Sequence, residues 1–243
     1  MNEWSLLLFT LALQIAVGGV AALALIGRLG SGRVGYCELG FFCLIAMAGS
    51  VFSLTHLGDM FGAYRALLHV TTSWLSREAW LTGAFVGLTA LCVFLTWRGK
   101  MKPFLLPLAA ALGILLLLVS ARVYAGSVME KWTSVCPYAD FFAASLLIGP
   151  FLVGCWRRDN PSDLRILRLL FGLGVVLFVL NVGFFGGGLR EPIAAVRLVL
   201  TALGFIAGFR VLFSGVSLKG TAAAGALLLI VGEGIGRYMF FMV

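Results

Sequence analysis

This sequence has little charge. Asp, Glu, Lys and Arg make up 12% of its 243 residues, whereas an average soluble protein has about 25%. A soluble domain of this length covers its surface with charged and polar side chains, so the low charge content excludes one. The sequence also has no polar linker or low-complexity tract, and we expect a single domain over 1–243.

Metal ligands are scarce as well. The five cysteines are scattered and never show the Cys-x-x-Cys spacing of an iron–sulfur or zinc site. The two histidines, His56 and His69, lie on one connection and are too few for two bis-histidine haems. No phosphate-binding loop or catalytic nucleophile motif is present, which disfavours a membrane hydrolase. We therefore expect no metal or other bound cofactor.

What the sequence has instead is long apolar runs. Its residues are 61% hydrophobic, and they come in blocks of about 20, the length that crosses a bilayer as a helix. The blocks lack the alternation of barrel strands, which leaves helices as the way to satisfy their backbone in lipid. We predict an all-α integral membrane protein, a bundle of about eight transmembrane helices, or seven if one block is re-entrant. The predicted spans are 3–27, 34–54, 81–97, 103–124, 138–156, 166–187, 193–213 and 221–242.

Charged residues divide unequally between the two faces of this bundle. The net charge of +8 would indicate nucleic acid in a soluble protein, but basic residues of membrane proteins collect in cytoplasmic loops. The loops after spans one, three, five and seven, with the adjoining helix ends, hold 11 of the 18 Lys and Arg residues. We therefore predict both termini outside the cytoplasm and no nucleic-acid partner. Seven of the ten acidic residues and both histidines fall on the outer face, which indicates a docking or binding surface there.

The longest connection, at 55–80, lies on that outer face. Met60, Tyr64, Leu67, Thr71 and Trp74 recur in it at helical spacing. This pattern predicts an interfacial amphipathic helix at about 59–76, with a tryptophan at headgroup depth. A plain structural connector is the alternative.

Short motifs in this connection and beyond it carry a family resemblance. They read HLG at 56–58, AYRALL at 63–68, SWLSRE at 73–78, RVY at 122–124, GP at 149–150, GE at 232–233 and GR at 236–237. In this order and over this length, the protein resembles the membrane anchor subunits of dimethyl sulfoxide reductase-type molybdoenzymes, the DmsC-like family. One departure is that the family often has Pro and Arg soon after HLG, where this sequence has Met60 and Gly62. Arg65 then supplies the charge.

The resemblance implies a role in anaerobic respiration at the bacterial cytoplasmic membrane. Such an anchor forms a heterotrimer with an iron–sulfur subunit and a molybdopterin catalytic subunit. It oxidises menaquinol and passes the electrons to the iron–sulfur subunit for reduction of dimethyl sulfoxide or a similar acceptor. The anchor itself carries no haem or metal. The residues that match the family's functional quinol-site residues are His56 and Glu78.

Quinol chemistry fits these two residue types. Oxidation of a quinol releases two protons, so its site needs hydrogen-bond partners and a base with a suitable pKa. We assign His56 to a ring oxygen as proton acceptor and Glu78 to proton exit. Arg65, Arg77 and Tyr124 complete the predicted quinol-binding set, and the two arginines orient Glu78 or face the partner subunit. The alternative for Glu78 is a charge that complements the helix dipole of the third span, with Ser76 as its N-cap.

Charges deeper in the spans leave a second interpretation open. Glu233 and Arg237 are four residues apart and are predicted to form an intramembrane ion pair, either functional or a structural clamp. Together with Asn181 and glycine-rich helices, they would also suit a polytopic solute or ion transporter. Against a transporter, the polar groups cluster at one face and not at the midplane, and no internal repeat is visible.

Overall fold

The computed structural model describes residues 3–55, 64, 67–125, 136–157, 160–185, 192–214 and 219–242. Within these ranges lie eight helices and no strand. All eight helices are long and apolar enough to cross a membrane, so the predicted all-α bundle of eight spans is confirmed. The helices are α1 (Glu3–Leu29), α2 (Tyr36–Thr55), α3 (Trp74–Trp97), α4 (Leu105–Ala125), α5 (Cys136–Trp156), α6 (Pro161–Phe185), α7 (Pro192–Phe213) and α8 (Lys219–Met242).

The two ends of the bundle differ in which connections they carry. Successive spans run in opposite directions, so α1 begins and α8 ends on the same side of the membrane. We call that side the termini face; it also carries the connections between α2 and α3, α4 and α5, and α6 and α7. The opposite face carries the other four connections.

Helix α1 lies at the centre of the bundle. It packs against α2, α4, α5, α6 and α8, and its side chains from Leu13 to Ile26 contribute much of the buried core. Helices α3 and α6, in contrast, expose large apolar side chains such as Leu91 and Leu173, as expected of helices that border lipid.

Small residues allow α1 and α5 to approach closely. A Cβ atom on Gly18 would overlap the backbone carbonyl of Ser145, and one on Gly149 would overlap the backbone of Gly18. Close approach at small residues is a common way for transmembrane helices to associate, since lipid tails leave little hydrophobic drive between helices. The central helix is therefore held to α5 by backbone-to-backbone packing.

We expect Gly18→Ala to destabilise the bundle by roughly 1–3 kcal/mol, because the added methyl group meets backbone that cannot rotate away. The measurement is the unfolding free energy of the purified protein in detergent. Gly87→Ala on α3 is the matched control, since a Cβ there meets nothing within 4 Å. Equal stability of the two variants would contradict the close packing of α1 on α5.

Helix α3 begins earlier than its apolar run. It starts at Trp74 and not at residue 81, because Ser73 has extended backbone (φ −111°, ψ 125°) and its side chain accepts a hydrogen bond from the amide of Ser76. This is N-cap geometry, so the alternative in which Ser76 caps this helix is wrong. Apolar content marks where a helix enters lipid, whereas the cap determines where the helix begins.

The predicted interfacial segment at 59–76 falls only partly within the described residues. Residues 67–73 form turns, in which the amides of Thr72 and Ser73 donate to the carbonyl of His69, and 74–76 belong to α3. Apart from Tyr64, the remainder lies outside the described residues. The amphipathic helix therefore stays a prediction.

Candidate functional site

Three of the five predicted site residues can be placed. Glu78 lies on α3, Tyr124 lies near the end of α4, and Arg77 precedes Glu78 on α3. His56 and Arg65 lie outside the described residues. The placed residues all belong to the half of the bundle next to the termini face.

Glu78 is a buried carboxyl group. Its side chain is 3% exposed, and it lies beyond the first turn of α3, which contains no acidic residue. A buried carboxyl one turn inside the helix does not cap it, so the interpretation of Glu78 as a charge at the first turn is wrong. Ser120 of α4 lies beside Glu78, yet neither Glu78 Oε1 nor Ser120 Oγ makes a hydrogen bond of normal geometry within the described part of the protein.

Tyr124 belongs to the small apolar cluster at the termini face and lies near Glu78. The side chain is 7% exposed, and its ring packs against Phe141 at 5.8 Å and Phe241 at 5.3 Å between centroids. It is near enough to Glu78 and Arg237 for their charges to act on its hydroxyl group. The fold thus brings two of the predicted site residues, Glu78 and Tyr124, together.

Arg77 has a different environment. Its guanidinium donates hydrogen bonds to the carbonyls of Val70 (2.9 Å) and Thr71 (2.7 Å) and lies 4.3 Å from the ring centroid of Trp74. These contacts fasten the connection before α3 onto the helix. Among the described residues, no ion pair joins Arg77 to Glu78.

Next to Tyr124 lies a buried polar network that spans five helices. Asp140 of α5 accepts hydrogen bonds from Arg237 of α8, from Arg197 of α7 (2.8 Å) and from Asn181 of α6 (3.0 Å). Arg237 also donates to Gln14 of α1 at 3.0 Å. We call these residues, together with Glu233 of α8, the Asp140 network. All six side chains are buried, so the network joins α1, α5, α6, α7 and α8.

The pairing in this network differs from the sequence prediction. Glu233 Oε2 lies 3.5 Å from Arg197 Nη2, while Arg237 pairs with Asp140. The predicted pair between Glu233 and Arg237 is not formed. Residues four apart on a helix share a face, but here the partners on adjacent helices lie closer. In the sequence, the isolated charges of Asp140 and Arg197 within apolar blocks were the sign that a buried polar network exists. The sequence alone did not show with which residue each of them pairs.

Phe141 links the Asp140 network to the Glu78 region. Its ring contacts Tyr124 on one side, and the guanidinium carbon of Arg237 lies 4.2 Å from its centroid. The network therefore lies close to Tyr124, with the ring of Phe141 between Tyr124 and Arg237. Two acids face two arginines inside it, which favours a structural role of holding five helices in register.

A second ion-pair cluster holds the opposite face together. Arg157, which follows α5, donates to Glu38 of α2 (3.0 Å) and to Asp163 of α6 (2.9 Å), and the hydroxyl group of Ser31 donates to Asp163. Burial alone lowers the pKa of Arg157, but hydrogen bonds to both carboxylates and their charges outweigh it and raise the pKa. The guanidinium is thus charged at any ordinary pH and acts as a structural clamp.

Within the described residues, no group of three or more His, Cys, Asp or Glu side chains is arranged to hold a metal ion. The predicted site residues that the fold brings together provide the carboxyl group of Glu78 and the hydroxyl group of Tyr124, with the rings of Phe141 and Phe241 beside them. These groups can bind a polar ring substituent and accept a proton.

A bundle of eight helices that can each cross a membrane, with its largest buried polar network toward the termini face, is a polytopic membrane protein. The protein belongs to the family described as DMSO reductase anchor subunit (DmsC), whose model matches residues 1–185. This confirms the family predicted from the motifs and supports a membrane-anchor role, in association with other subunits of a dimethyl sulfoxide reductase complex.

Two curated relatives match nearly the full length of this protein. The C subunit of anaerobic dimethyl sulfoxide reductase from Escherichia coli K12 is 26% identical over 271 residues, covering 99% of this protein and 94% of the relative. The subunit of the same name from Haemophilus influenzae is 25% identical over 263 residues, with the same coverage of 99% and 94%.

Proposed function

We propose that this subunit anchors a respiratory molybdoenzyme complex and oxidises menaquinol for it. The electrons pass to an iron–sulfur subunit and then to a molybdopterin subunit that reduces dimethyl sulfoxide or a similar acceptor. Glu78 carries the proposal, because a buried carboxyl group with an oxygen lacking a hydrogen bond is costly unless it serves a ligand or a proton. Family membership makes a quinol the best candidate for that ligand.

The proposed chemistry needs two proton acceptors. A quinol that becomes a quinone loses two electrons to the iron–sulfur subunit and one proton from each of its two ring hydroxyl groups. In this mechanism His56 accepts one proton and Glu78 accepts the other, and both release them at the termini face. No metal or haem in this subunit is needed for either step.

The remaining residues would bind and position the quinol. Tyr124 forms part of the apolar wall beside Glu78, where a ring can pack against it. Arg77 is a positioning residue in this proposal, because its hydrogen bonds to Val70 and Thr71 hold the last part of the connection before α3 against the helix. Arg65 would bind a ring oxygen or face the iron–sulfur subunit.

The complex would lie in the bacterial cytoplasmic membrane with the termini face outside the cytoplasm. The support is the charge bias, since the opposite face has 11 of the 18 basic residues and the positive-inside rule places that face in the cytoplasm. The soluble subunits would then dock on the outside, where the long connection before α3 begins and ends.

Reporter fusions test this orientation. Gly99 lies between α3 and α4, and Asn160 lies between α5 and α6, so both belong to the opposite face. We expect a fluorescent protein fused after either residue to fluoresce, and alkaline phosphatase at the same points to be inactive. Fusions at the C-terminus are the control and should give the reverse pattern. Phosphatase activity at Gly99 and Asn160 would contradict the predicted orientation and place the termini face in the cytoplasm.

Co-purification and turnover test the function. The tagged subunit, expressed together with the genes that neighbour its own, is expected to copurify with two larger soluble subunits, and reduced menaquinone analogues should drive reduction of dimethyl sulfoxide. The purified anchor should show no haem absorption band. A protein that purifies alone and moves a solute across vesicles would support the transporter instead, and a haem band lost in His56→Ala would indicate a cytochrome.

A further inference from the structure

A cavity opens at the opposite face, at the other end of the bundle from Glu78. It has a volume of about 270 Å³ and lies where the ends of α1 and α3 meet the beginnings of α2 and α4. Two cations line it, Arg28 at the end of α1 and Lys102 before α4. Both side chains are exposed, so they stand at the rim.

The surroundings of this cavity are strongly basic. The connections between α1 and α2 and between α3 and α4 add Arg33, Arg98 and Lys100. Glu38, the acidic residue at the start of α2, already forms an ion pair with Arg157. Among the described residues, none of these five cations forms an ion pair. The cavity therefore offers positive charge to an anion from outside the protein.

The floor of the cavity is apolar. Ala24, Leu39 and Leu106 line it and are buried. Thr96 also lines it, but its hydroxyl group already donates to the carbonyl of Cys92 at 2.7 Å. A free inorganic anion would need polar groups on this floor to replace its water. A molecule with an anionic head and a hydrocarbon body fits both parts.

We propose that this cavity binds an anionic phospholipid. Arg28 and Lys102 contact the phosphate group, and the apolar floor receives the glycerol backbone and the first acyl carbons. The depth agrees, because the site lies at helix ends, where lipid headgroups meet the hydrocarbon layer. Such a lipid would fasten together the ends of the first four helices.

The expected effect follows from the two cations. A Lys or Arg near an anionic membrane surface strengthens binding by about fivefold. Loss of both is therefore expected to weaken binding of the anionic lipid by about 30-fold. Binding of a zwitterionic lipid should weaken much less, because its own ammonium group already offsets the phosphate charge.

Native mass spectrometry of the full-length protein in detergent measures this directly. The probes are phosphatidylglycerol and phosphatidylcholine with identical acyl groups. We expect one phosphatidylglycerol molecule to remain bound to the protein at lipid concentrations at which no phosphatidylcholine remains bound. Inorganic phosphate at millimolar concentration should not displace it. Equal retention of the two lipids, or displacement by phosphate alone, would overturn the proposal.

Paired variants separate the cavity from general surface charge. Arg28→Gln with Lys102→Gln should lose the preference, whereas Arg165→Gln with Arg210→Gln removes the same charge from exposed positions outside the cavity and should keep it. Gly27→Leu keeps every cation but occupies the cavity, where a Cβ meets only Val34 at 3.4 Å, and it should also weaken retention. Equal losses in both charge pairs, or full retention in Gly27→Leu, would show surface attraction and refute the site.

Discussion

Glu78→Gln is expected to reduce menaquinol-driven turnover of the complex by roughly 10²–10⁴-fold, the range in which a general base contributes to a rate. The amide has nearly the shape of the carboxyl group but cannot accept the proton. Because Glu78 makes no ion pair among the described residues, the exchange leaves no buried charge unmatched and the bundle should fold. The measurement is reduction of dimethyl sulfoxide by membranes supplied with a reduced menaquinone analogue.

A control variant and an assay with artificial dyes show whether the loss of turnover is specific to quinol oxidation. Thr82→Val is the matched control, because Thr82 is buried one turn further along α3 and its hydroxyl group also lacks a hydrogen bond in the described structure; it should retain turnover. Artificial dyes that reduce the soluble subunits directly should still support turnover in Glu78→Gln and in His56→Ala. Normal menaquinol-driven turnover in the Glu78→Gln variant would show that Glu78 is not part of the quinol site. If dye-driven turnover were lost as well, Glu78 would be needed for binding of the soluble subunits instead of for quinol oxidation.

Asp140→Ala is expected to be the most destabilising substitution in the bundle. It leaves Arg197 and Arg237 buried without their shared carboxylate. Removal of one partner from a buried ion pair costs about 3–5 kcal/mol, because the remaining charge stays in a medium of low polarity. The unfolding free energy in detergent and the amount of protein in the membrane should both fall.

Restoring the charge balance tests the cause. Asp140→Asn leaves one excess positive charge in the network, and the double variant Asp140→Asn with Arg197→Gln removes it, since Glu233 and Arg237 then balance. We expect the double variant to be more stable than the sum of the single effects predicts, as coupled sites are not additive. Additive effects would show that these residues contribute by packing and not by charge.

Only part of the candidate site was accessible from the sequence. The residue types and motif order predicted Glu78 and Tyr124 as members of one site, and the fold places them close together. Sequence reasoning also left Glu78 an alternative place at the first turn of α3, whereas the cap at Ser73 moves it one turn into the helix. His56 and Arg65 lie outside the described residues, so their roles stay predictions.

The number and identity of the membrane-spanning helices were determined by the sequence itself. A block of about 20 apolar residues satisfies its backbone in lipid by forming a helix, so the eight blocks predicted about eight spans. Which charges meet was decided only by tertiary structure. Asp140 pairs with Arg237 and Arg197 because α5, α7 and α8 pack against one another, with close contacts such as that of Gly232 on α8 with Thr201 on α7. Whether a segment forms a membrane-spanning helix depends on its own sequence, whereas the partner of a buried charge depends on which helices pack against each other.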